Sequence, residues 1–241
     1  MRLSEIYEQL DKISPFEMQA KWDNSGLILG SFDQEITKVV VSIDVDEELI
    51  ASVEEGTLII THHPLIFSGI KSMDFATYPS KLLAQMISKN IVNVAMHTNF
   101  DLTHLNRYVV EKVLNKKVTA EGEYLLYFDV ENSMDEMAVE IQKAFGLKHL
   151  KSVIAHDRKI KRVALCTGSG ASMINMIDAD LFLTGDIKYH DAMEAKALGL
   201  NLLDIGHFES ERFFGEILAE DLKILGLTVI ISSSKNPFTY L

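Results

Sequence analysis

The sequence predicts an α/β protein made of two interlocked α/β lobes with mixed, largely parallel sheets. Three observations support this prediction. Short apolar runs typical of strands alternate with amphipathic segments typical of helices along almost the whole chain. The 241 residues are 47% hydrophobic, which is enough to build one large core or two smaller ones. Only four prolines and no low-complexity segment interrupt the alternation, so the chain contains no obvious flexible linker. We therefore expect lobes at residues 1–120 and 121–241.

The first lobe opens with a helix that Ser4 can cap and that runs to about Ile13, with Ile6 and Leu10 on one face. The continuous apolar run at residues 58–60 indicates a strand covered on both faces. In order, the lobe is predicted to contain helix 4–13, loop 22–26, strand 27–29, strand 39–43, helix 47–53, strand 58–60, helix 79–89, strand 91–96 and helix 105–114.

The second lobe continues the alternation of strands and helices. Its predicted elements are strand 124–130, helix 134–145, strands near 152–155 and 162–166, helix 171–178, strand 181–183, helix 190–198, strand 201–205, helix 209–225 and strand 227–232. Pairs of this kind, a strand followed by a helix, favour parallel strand neighbours.

Charge and cysteine content exclude several classes of protein. The net charge is −12, with 35 acidic and 23 basic residues, which argues against a broad nucleic-acid-binding face but permits a small positive site. Cys166 is the single cysteine, so neither an intramolecular disulfide nor a zinc site built from thiolates is expected. The first residues lack an apolar signal core, and no apolar run approaches the ~20 residues that span a bilayer. We expect a cytoplasmic protein with no membrane contact.

Polar residues follow four of the predicted strands at the point where each strand ends. These segments are Thr61-His62-His63-Pro64, His97-Thr98-Asn99-Phe100-Asp101, Gly185-Asp186 and Gly206-His207. In open α/β sheets the carboxyl ends of the strands form the edge where ligands bind. The coincidence of four such segments predicts a functional site at this edge, between the lobes.

Each segment alone has a simpler explanation. His62 and His63 could be surface loop residues, Asp101 could cap the helix that follows, and His207 and Glu211 could form a hydrogen-bonded pair on a helix surface. Taken together, imidazole and carboxylate groups suit zinc, manganese or iron. Carboxylates from Asp101 and Glu211 could bridge two cations while three imidazoles complete the coordination, as in two-metal hydrolytic sites.

Other residues are weaker candidates for function. Gly168-Ser169-Gly170 could hold a phosphate with its backbone N–H groups, or it could be a tight turn between a strand and a helix. Lys188, Tyr189 and His190 could contact a substrate or could begin a solvated helix. Cys166 is expected in the core, at the end of a strand.

Five segments of the chain resemble those of the Nif-three-like dinuclear metal-centre proteins. They occur in the family's order from residue 22 to residue 211 and are Trp22-Asp23-Asn24-Ser25-Gly26-Leu27, Thr61-His62-His63-Pro64-Leu65-Ile66-Phe67, His97-Thr98-Asn99-Phe100-Asp101, Thr184-Gly185-Asp186-Ile187-Lys188-Tyr189-His190-Asp191-Ala192 and Gly206-His207-Phe208-Glu209-Ser210-Glu211.

The resemblance implies two divalent metal ions with ligands at particular positions. The matching positions are His62, His63, Asp101, His207 and Glu211. Glu211 is the expected bridge, and the nearby Glu209 is not expected to bind. His97 matches a further family histidine that could transfer protons or contact the substrate. Phe100 stands where leucine is common in the family, a mild departure.

The resemblance also implies an assembly and an activity. Relatives form ring-shaped homohexamers with the metal sites facing an internal cavity, and close relatives carry the name GTP cyclohydrolase 1 type 2. A hydrolase of this kind would convert GTP to dihydroneopterin triphosphate and formate after a metal-activated hydroxide attacks C8 of guanine. Lys188 and His190, or the loop at residues 168–170, are candidates to bind the substrate.

Two alternatives remain open at the level of the sequence. The same metals could serve hydrolysis of a phosphoester or pyrophosphate, which two-metal sites often catalyse. Alternatively, the protein could store or deliver metal without catalysing a reaction. The nature of the metal is not fixed, because histidine and carboxylate ligands accept several cations.

Overall fold

A computed structural model describes residues 1–226 and 228–239, apart from the side chains of residues 224, 225 and 228. The chain forms two compact units: unit 1 comprises Met1–Phe100 and Phe213–Lys235, and unit 2 comprises Asp101–Arg212 and the residues from Asn236 onward. Each unit contains helices and one mixed sheet, so the predicted α/β class with two mixed sheets is confirmed. These units differ from the predicted division at residue 120, because residues 101–120 lie in unit 2 and Phe213–Lys235 lies in unit 1.

The regular elements follow the predicted alternation. The strands are β1 Gly26–Leu29, β2 Lys38–Ser42, β3 Leu58–Thr61, β4 Val92–Ala95, β5 Val118–Gly122, β6 Leu125–Asn132, β7 Lys151–Val153, β8 Ile160–Leu165, β9 Leu181–Thr184, β10 Asn201–Asp204 and β11 Thr228–Ile231. The α-helices are α1 Leu3–Ile13, α2 Glu47–Ser52, α3 Ser80–Ser88, α4 Thr98–Phe100, α5 Asn106–Tyr108, α6 Met134–Phe145, α7 Tyr189–Leu198, α8 His207–Glu211 and α9 Phe214–Asp221. Shorter helical turns span Phe16–Met18, Asp101–Leu105, Val109–Val113, Ala171–Met176 and Leu222–Leu225.

Unit 1 is built on a five-stranded sheet of order β1-β4-β3-β2-β11. Strands β4, β3, β2 and β11 run parallel, and β1 is antiparallel to β4. Every residue of β3 is buried, as its continuous apolar run predicts. Strand β11 pairs with β2 in this sheet, which explains why Phe213–Lys235 belongs to unit 1.

Unit 2 is built on a six-stranded sheet of order β5-β6-β8-β9-β10-β7. Its centre, β8-β9-β10, is parallel, whereas β5, β6 and β7 join through antiparallel pairings. This sheet is therefore less parallel than the sequence predicts. Strand β5 was not predicted, because none of its residues is fully buried and it pairs with β6 as a hairpin at the sheet edge.

Two helix predictions need correction. The helix predicted at 105–114 begins earlier: α4 starts at Thr98 and continues through the π-helical turn Asp101–Leu105, so Asp101 lies inside a helical segment and not in a loop. The helix predicted at 209–225 begins at His207, directly after Gly206, and is interrupted after Glu211. In the predicted strand 227–232, residue 227 lies outside the described residues. Across the described chain, every helix is too short or too polar to cross a bilayer.

Candidate metal site

The carboxyl ends of β3 and β4 bring three histidines of unit 1 together. The two strands are parallel neighbours, with Thr61 opposite Ala95. His62 follows β3 directly, and its backbone N–H donates to Ser42 O at 3.1 Å, which extends the pairing with β2. His97 lies just past the end of the neighbouring strand. Parallel strands end at one edge of the sheet, so the predicted convergence holds for this unit.

The side chains of His62, His63 and His97 form a group that could hold a metal ion. One ring nitrogen from each lies within 4.8 Å of the others. Their ring centroids are 5.1 Å apart for His62 and His63, 5.2 Å for His62 and His97, and 5.5 Å for His63 and His97. His62 is fully buried, whereas the side chain of His63 is 24% exposed and that of His97 is 14% exposed. The group is thus partly open to a ligand.

Hydrogen bonds at Nδ1 fix the tautomer of His62 and the orientation of all three rings. His62 Nδ1 lies 2.9 Å from Met96 O. A carbonyl oxygen only accepts hydrogen bonds, so Nδ1 of His62 carries the proton and Nε2 of the neutral ring carries the lone pair. His63 Nδ1 lies 2.8 Å from Asp44 Oδ1, and His97 Nδ1 lies 2.8 Å from Asp23 Oδ1. A hydrogen bond from the second nitrogen to an oxygen is typical of metal-binding histidines.

Asp23 anchors His97 through an extensive set of hydrogen bonds. Its carboxylate accepts from His97 Nδ1, Asn24 N, Ser25 Oγ, Thr98 N and Thr98 Oγ1, at 2.6–3.1 Å. The Asp23 side chain is fully buried. Burial alone would raise its pKa, but the hydrogen bonds and the adjacent His97 lower the pKa well below the usual range. Asp23 is therefore an ionised, immobile acceptor that holds the imidazole in place.

In unit 2, three parallel strands end at a second edge. Strands β8, β9 and β10 are neighbours, with Leu165 opposite Leu183 and Thr184 opposite Asp204. The segments that follow them are Cys166-Thr167-Gly168, Gly185-Asp186 and Ile205-Gly206-His207. This edge brings together the remaining predicted ligands.

His207 and Glu211 lie on one face of α8. His207 Nε2 is 3.1 Å from Glu211 Oε2, and His207 Nδ1 is 2.7 Å from Asp186 Oδ2. Glu211 is 2% exposed, whereas the side chain of His207 is 33% exposed. A buried carboxylate that contacts one ring nitrogen, with a second carboxylate at the other, distinguishes this pair from a surface pair on a solvated helix.

Asp101 and Glu211 both act on the thiol of Cys166. Asp101 is 8% exposed and accepts from Thr167 Oγ1 at 3.3 Å. The pKa of Cys166 is raised well above its usual range, first by burial and then by the negative charges of Asp101 and Glu211. Two buried carboxylates around a neutral thiol leave negative charge in a dry environment, which favours a cation there.

Gly168 lies directly against the carboxylate of Glu211. Its φ is +64°, and a Cβ at this position would lie 2.1 Å from Glu211 Oε1 and 3.5 Å from His207 Nε2. Any side chain at residue 168 would therefore displace Glu211. Gly168 N donates to Ser210 Oγ at 3.0 Å, and Ser210 Oγ donates to His207 O at 2.9 Å, which ties the turn after β8 to the first turn of α8.

The other candidates from the sequence occupy less specific positions. In Gly168-Ser169-Gly170, the N–H of Gly168 is used as above and that of Gly170 donates to Thr184 Oγ1 at 2.8 Å, which favours a tight turn over a phosphate cradle. Lys188 and His190 are exposed at the start of α7. Glu209 accepts from Asn236 Nδ2 at 2.7 Å.

Three aspartates that orient the histidines were not among the predicted site residues. Asp44 follows β2 at the edge that carries His62 and His63, so the strand-end pattern could have identified it. Asp186 belongs to Gly185-Asp186, one of the four polar segments that follow predicted strands. Asp23 precedes β1 in a segment that carries the family resemblance, but its hydrogen bond to His97 joins residues 74 positions apart, so the sequence did not indicate this contact.

The fold and these side chains define an α/β protein with buried and partly buried histidine and carboxylate groups that could hold a metal ion. The sequence model of the family Duf34/NIF3 (NGG1p interacting factor 3) matches residues 1–237, and the chain belongs to this family.

The chain is also similar to named proteins and to solved structures over almost its whole length. The chain is 49% identical over 240 residues to a "GTP cyclohydrolase 1 type 2 homolog" of Campylobacter jejuni, with 100% of both chains covered. It is 39% identical over 237 residues to a "GTP cyclohydrolase 1 type 2" of Helicobacter pylori, covering 98% of this chain and 97% of the relative. The crystal structure of a hypothetical protein from Staphylococcus aureus superposes with a TM-score of 0.86 at 26% identity, covering 100% of this chain and 99% of the other.

Proposed function

We propose that this protein is a hydrolase that depends on two divalent metal ions and acts on GTP. The proposed ligands are His62, His63, Asp101, His207 and Glu211. The observation that carries the proposal is the anchoring of every proposed histidine ligand through Nδ1 to an oxygen, at 2.7–2.9 Å, which makes Nε2 the nitrogen that would bind a metal ion. Imidazole and carboxylate donors of this kind suit zinc, manganese or iron.

The choice of substrate rests on the names of the relatives. Proteins 49% and 39% identical to this chain carry the name GTP cyclohydrolase 1 type 2, the first as a homolog. We propose the corresponding reaction, in which water opens the imidazole ring of guanine at C8, formate leaves and dihydroneopterin triphosphate is formed. Bound divalent cations would lower the pKa of water and neutralise negative charge on the substrate.

In this proposal, aspartates of the chain hold the histidines in position and His97 transfers protons. Asp23 holds His97 through Nδ1 at 2.8 Å, and we propose that Nε2 of His97 accepts a proton from water and returns it to a ring nitrogen of the substrate. Asp44 and Asp186 hold His63 and His207 in the same way. We also propose that the exposed side chains of Lys188 and His190 contact the phosphates.

The test combines product analysis with a matched pair of variants. Wild type reconstituted with zinc, manganese or iron is incubated with GTP, and formate, pterin, phosphate and pyrophosphate are measured. Glu211→Gln removes the charge of a buried carboxylate that contacts His207, whereas Glu209→Gln makes the same change at a carboxylate bonded to Asn236. We expect formate and pterin from wild type and Glu209→Gln, and neither from Glu211→Gln.

Other products would point to other functions. Phosphate or pyrophosphate without formate would replace the proposal with hydrolysis at phosphorus by the same site. Reversible metal binding with no product from any nucleotide would replace it with metal storage or delivery. Full formate release by Glu211→Gln would contradict the proposed role of the metal ligands.

A further inference from the structure

Two large aromatic side chains of unit 1 are exposed beside the histidine group. Trp22 is 62% exposed and Phe67 is 50% exposed. Their ring centroids lie 5.8 Å apart with an interplanar angle of 43°, so the rings diverge and do not stack on each other. An exposed aromatic pair with open faces offers a surface for a planar ligand.

The pair adjoins His97. Ring centroids are 6.1 Å apart for Trp22 and His97, and 6.2 Å for Phe67 and His97, with interplanar angles of 75° and 73°. His97 in turn lies 5.2 Å from His62 and 5.5 Å from His63. The two exposed rings therefore lie beside the imidazole that is proposed to transfer protons.

The loops that carry the two rings are held in place. Asn24 Nδ2 donates to Ile66 O at 2.6 Å, which ties the loop of Trp22 to the loop of Phe67. Asp23, next to Trp22, is buried and accepts five hydrogen bonds. The exposure of Trp22 is therefore built into the fold, and a ligand would meet a preorganised surface.

We infer that Trp22 and Phe67 form a stacking site for the base of the substrate, a planar nitrogen heterocycle such as guanine. The inference rests on the proposed function, in which a ring is opened beside His97. The base would stack on the aromatic faces and present its edge to His97 Nε2. Stacking on aromatic side chains is tolerant of base identity, so this site would select for a planar ring and would contribute less to the choice among bases.

Trp22 is the single tryptophan of the chain, so its fluorescence reports on this site directly. Full-length protein, with and without added zinc, is titrated with guanosine and with ribose 5-phosphate, which lacks the base. Phe67→Leu removes one aromatic face and keeps the reporter. The matched control is Phe32→Leu, a change at another exposed aromatic residue, which packs on Tyr7.

We expect saturable quenching by guanosine in metal-free and metal-loaded protein, and no quenching by ribose 5-phosphate. Phe67→Leu should raise the Kd for guanosine about tenfold, and Phe32→Leu should leave it within about twofold. Absence of quenching, or equal Kd values for both variants, would overturn the inference. So would fluorescence that changes with protein concentration and ignores guanosine, because a second copy of the chain would then cover the rings.

The binding experiment and the assay for formate can fail separately. Quenching by guanosine without turnover of any nucleotide would support the stacking site and contradict the proposed hydrolase activity. Turnover of GTP with a KM unchanged in Phe67→Leu would keep the hydrolase and remove the stacking site.

Discussion

His62, His63, His97 and His207 share one arrangement: Nδ1 of each ring meets an oxygen at 2.7–2.9 Å. Three of the four oxygens belong to aspartates. Such contacts hold the ring orientation and increase the basicity of Nε2, so they prepare the opposite nitrogen to bind a metal or accept a proton. At the scale of single residues, the site therefore depends on these acceptors as much as on the histidines.

Gly168→Ala should disturb the site through Glu211. A Cβ there would lie 2.1 Å from Glu211 Oε1, in addition to the cost of φ +64° for a residue with a side chain. Gly146→Ala is the matched control, since its φ is +72° and its Cβ would meet nothing within 4 Å. We expect each variant to lose about 1 kcal/mol of unfolding free energy from backbone strain, and only Gly168→Ala to lose bound metal. Equal metal content in the two variants would contradict this role of Gly168.

Asp23→Asn should destabilise the protein in a manner that depends on pH. The pKa of Asp23 is lowered on folding, so its ionisation contributes stability above the ordinary pKa of about 3.9, and the contribution is lost as the pH falls below that value. We expect a loss of about 3 kcal/mol at pH 7, measured by urea unfolding, that shrinks toward pH 3.

Asp33 is exposed, and Asp33→Asn is the control for Asp23→Asn. We expect Asp33→Asn to change the free energy of unfolding little at either pH. If the free energies of unfolding of wild type and Asp23→Asn differed by the same amount from pH 7 to pH 3, the charge of Asp23 would not contribute to stability.

Elements with a strong local signal were predictable from the sequence. Helix α6 spans Met134–Phe145 as predicted, because Ser133 and Glu136 form a capping box and Gly146 ends the helix in the left-handed region. The half-exposed strand β5 carries no such signal and was missed.

The composition of the two histidine and carboxylate groups was likewise predictable, since their residues follow buried strands. The contact between Asp23 and His97 was not, because these residues are 74 positions apart and meet only in the folded chain. Long-range hydrogen bonds leave no periodic pattern in a sequence.

The packing of α9 on β11 gives a test at the scale of elements. A Cβ at Gly215 would lie 2.8 Å from Cγ2 of Ile231, a β-branched side chain with little freedom to move. Overpacking of this kind costs about 2 kcal/mol, and the higher helix propensity of alanine offsets about 1 kcal/mol of that cost. We therefore expect Gly215→Ala to lower the free energy of unfolding, measured with urea, by about 1 kcal/mol.

Truncation of Ile231 should remove the steric clash with an alanine at position 215. In an Ile231→Ala background, we therefore expect Gly215→Ala to leave the free energy of unfolding unchanged or to raise it. If Gly215→Ala lowered the free energy of unfolding equally in the two backgrounds, residue 215 of α9 would not contact Ile231 of β11.

The whole molecule carries a net charge of −12 and is proposed, from the family resemblance, to assemble as a homohexamer. Light scattering coupled to size exclusion should then give a mass six times that of the 27.1 kDa chain. A mass equal to one chain at micromolar concentration would contradict the proposed assembly.

We propose that the histidines and carboxylates at the strand ends hold two metal ions, and the number of metal ions bound per chain is the measurement that we would make first. Wild type, Glu211→Gln and Glu209→Gln are reconstituted with zinc, freed of excess metal and analysed by mass spectrometry for metal per chain. We expect two equivalents in wild type and in Glu209→Gln, and at most one in Glu211→Gln. No tightly bound metal in wild type, or two equivalents in Glu211→Gln, would contradict it.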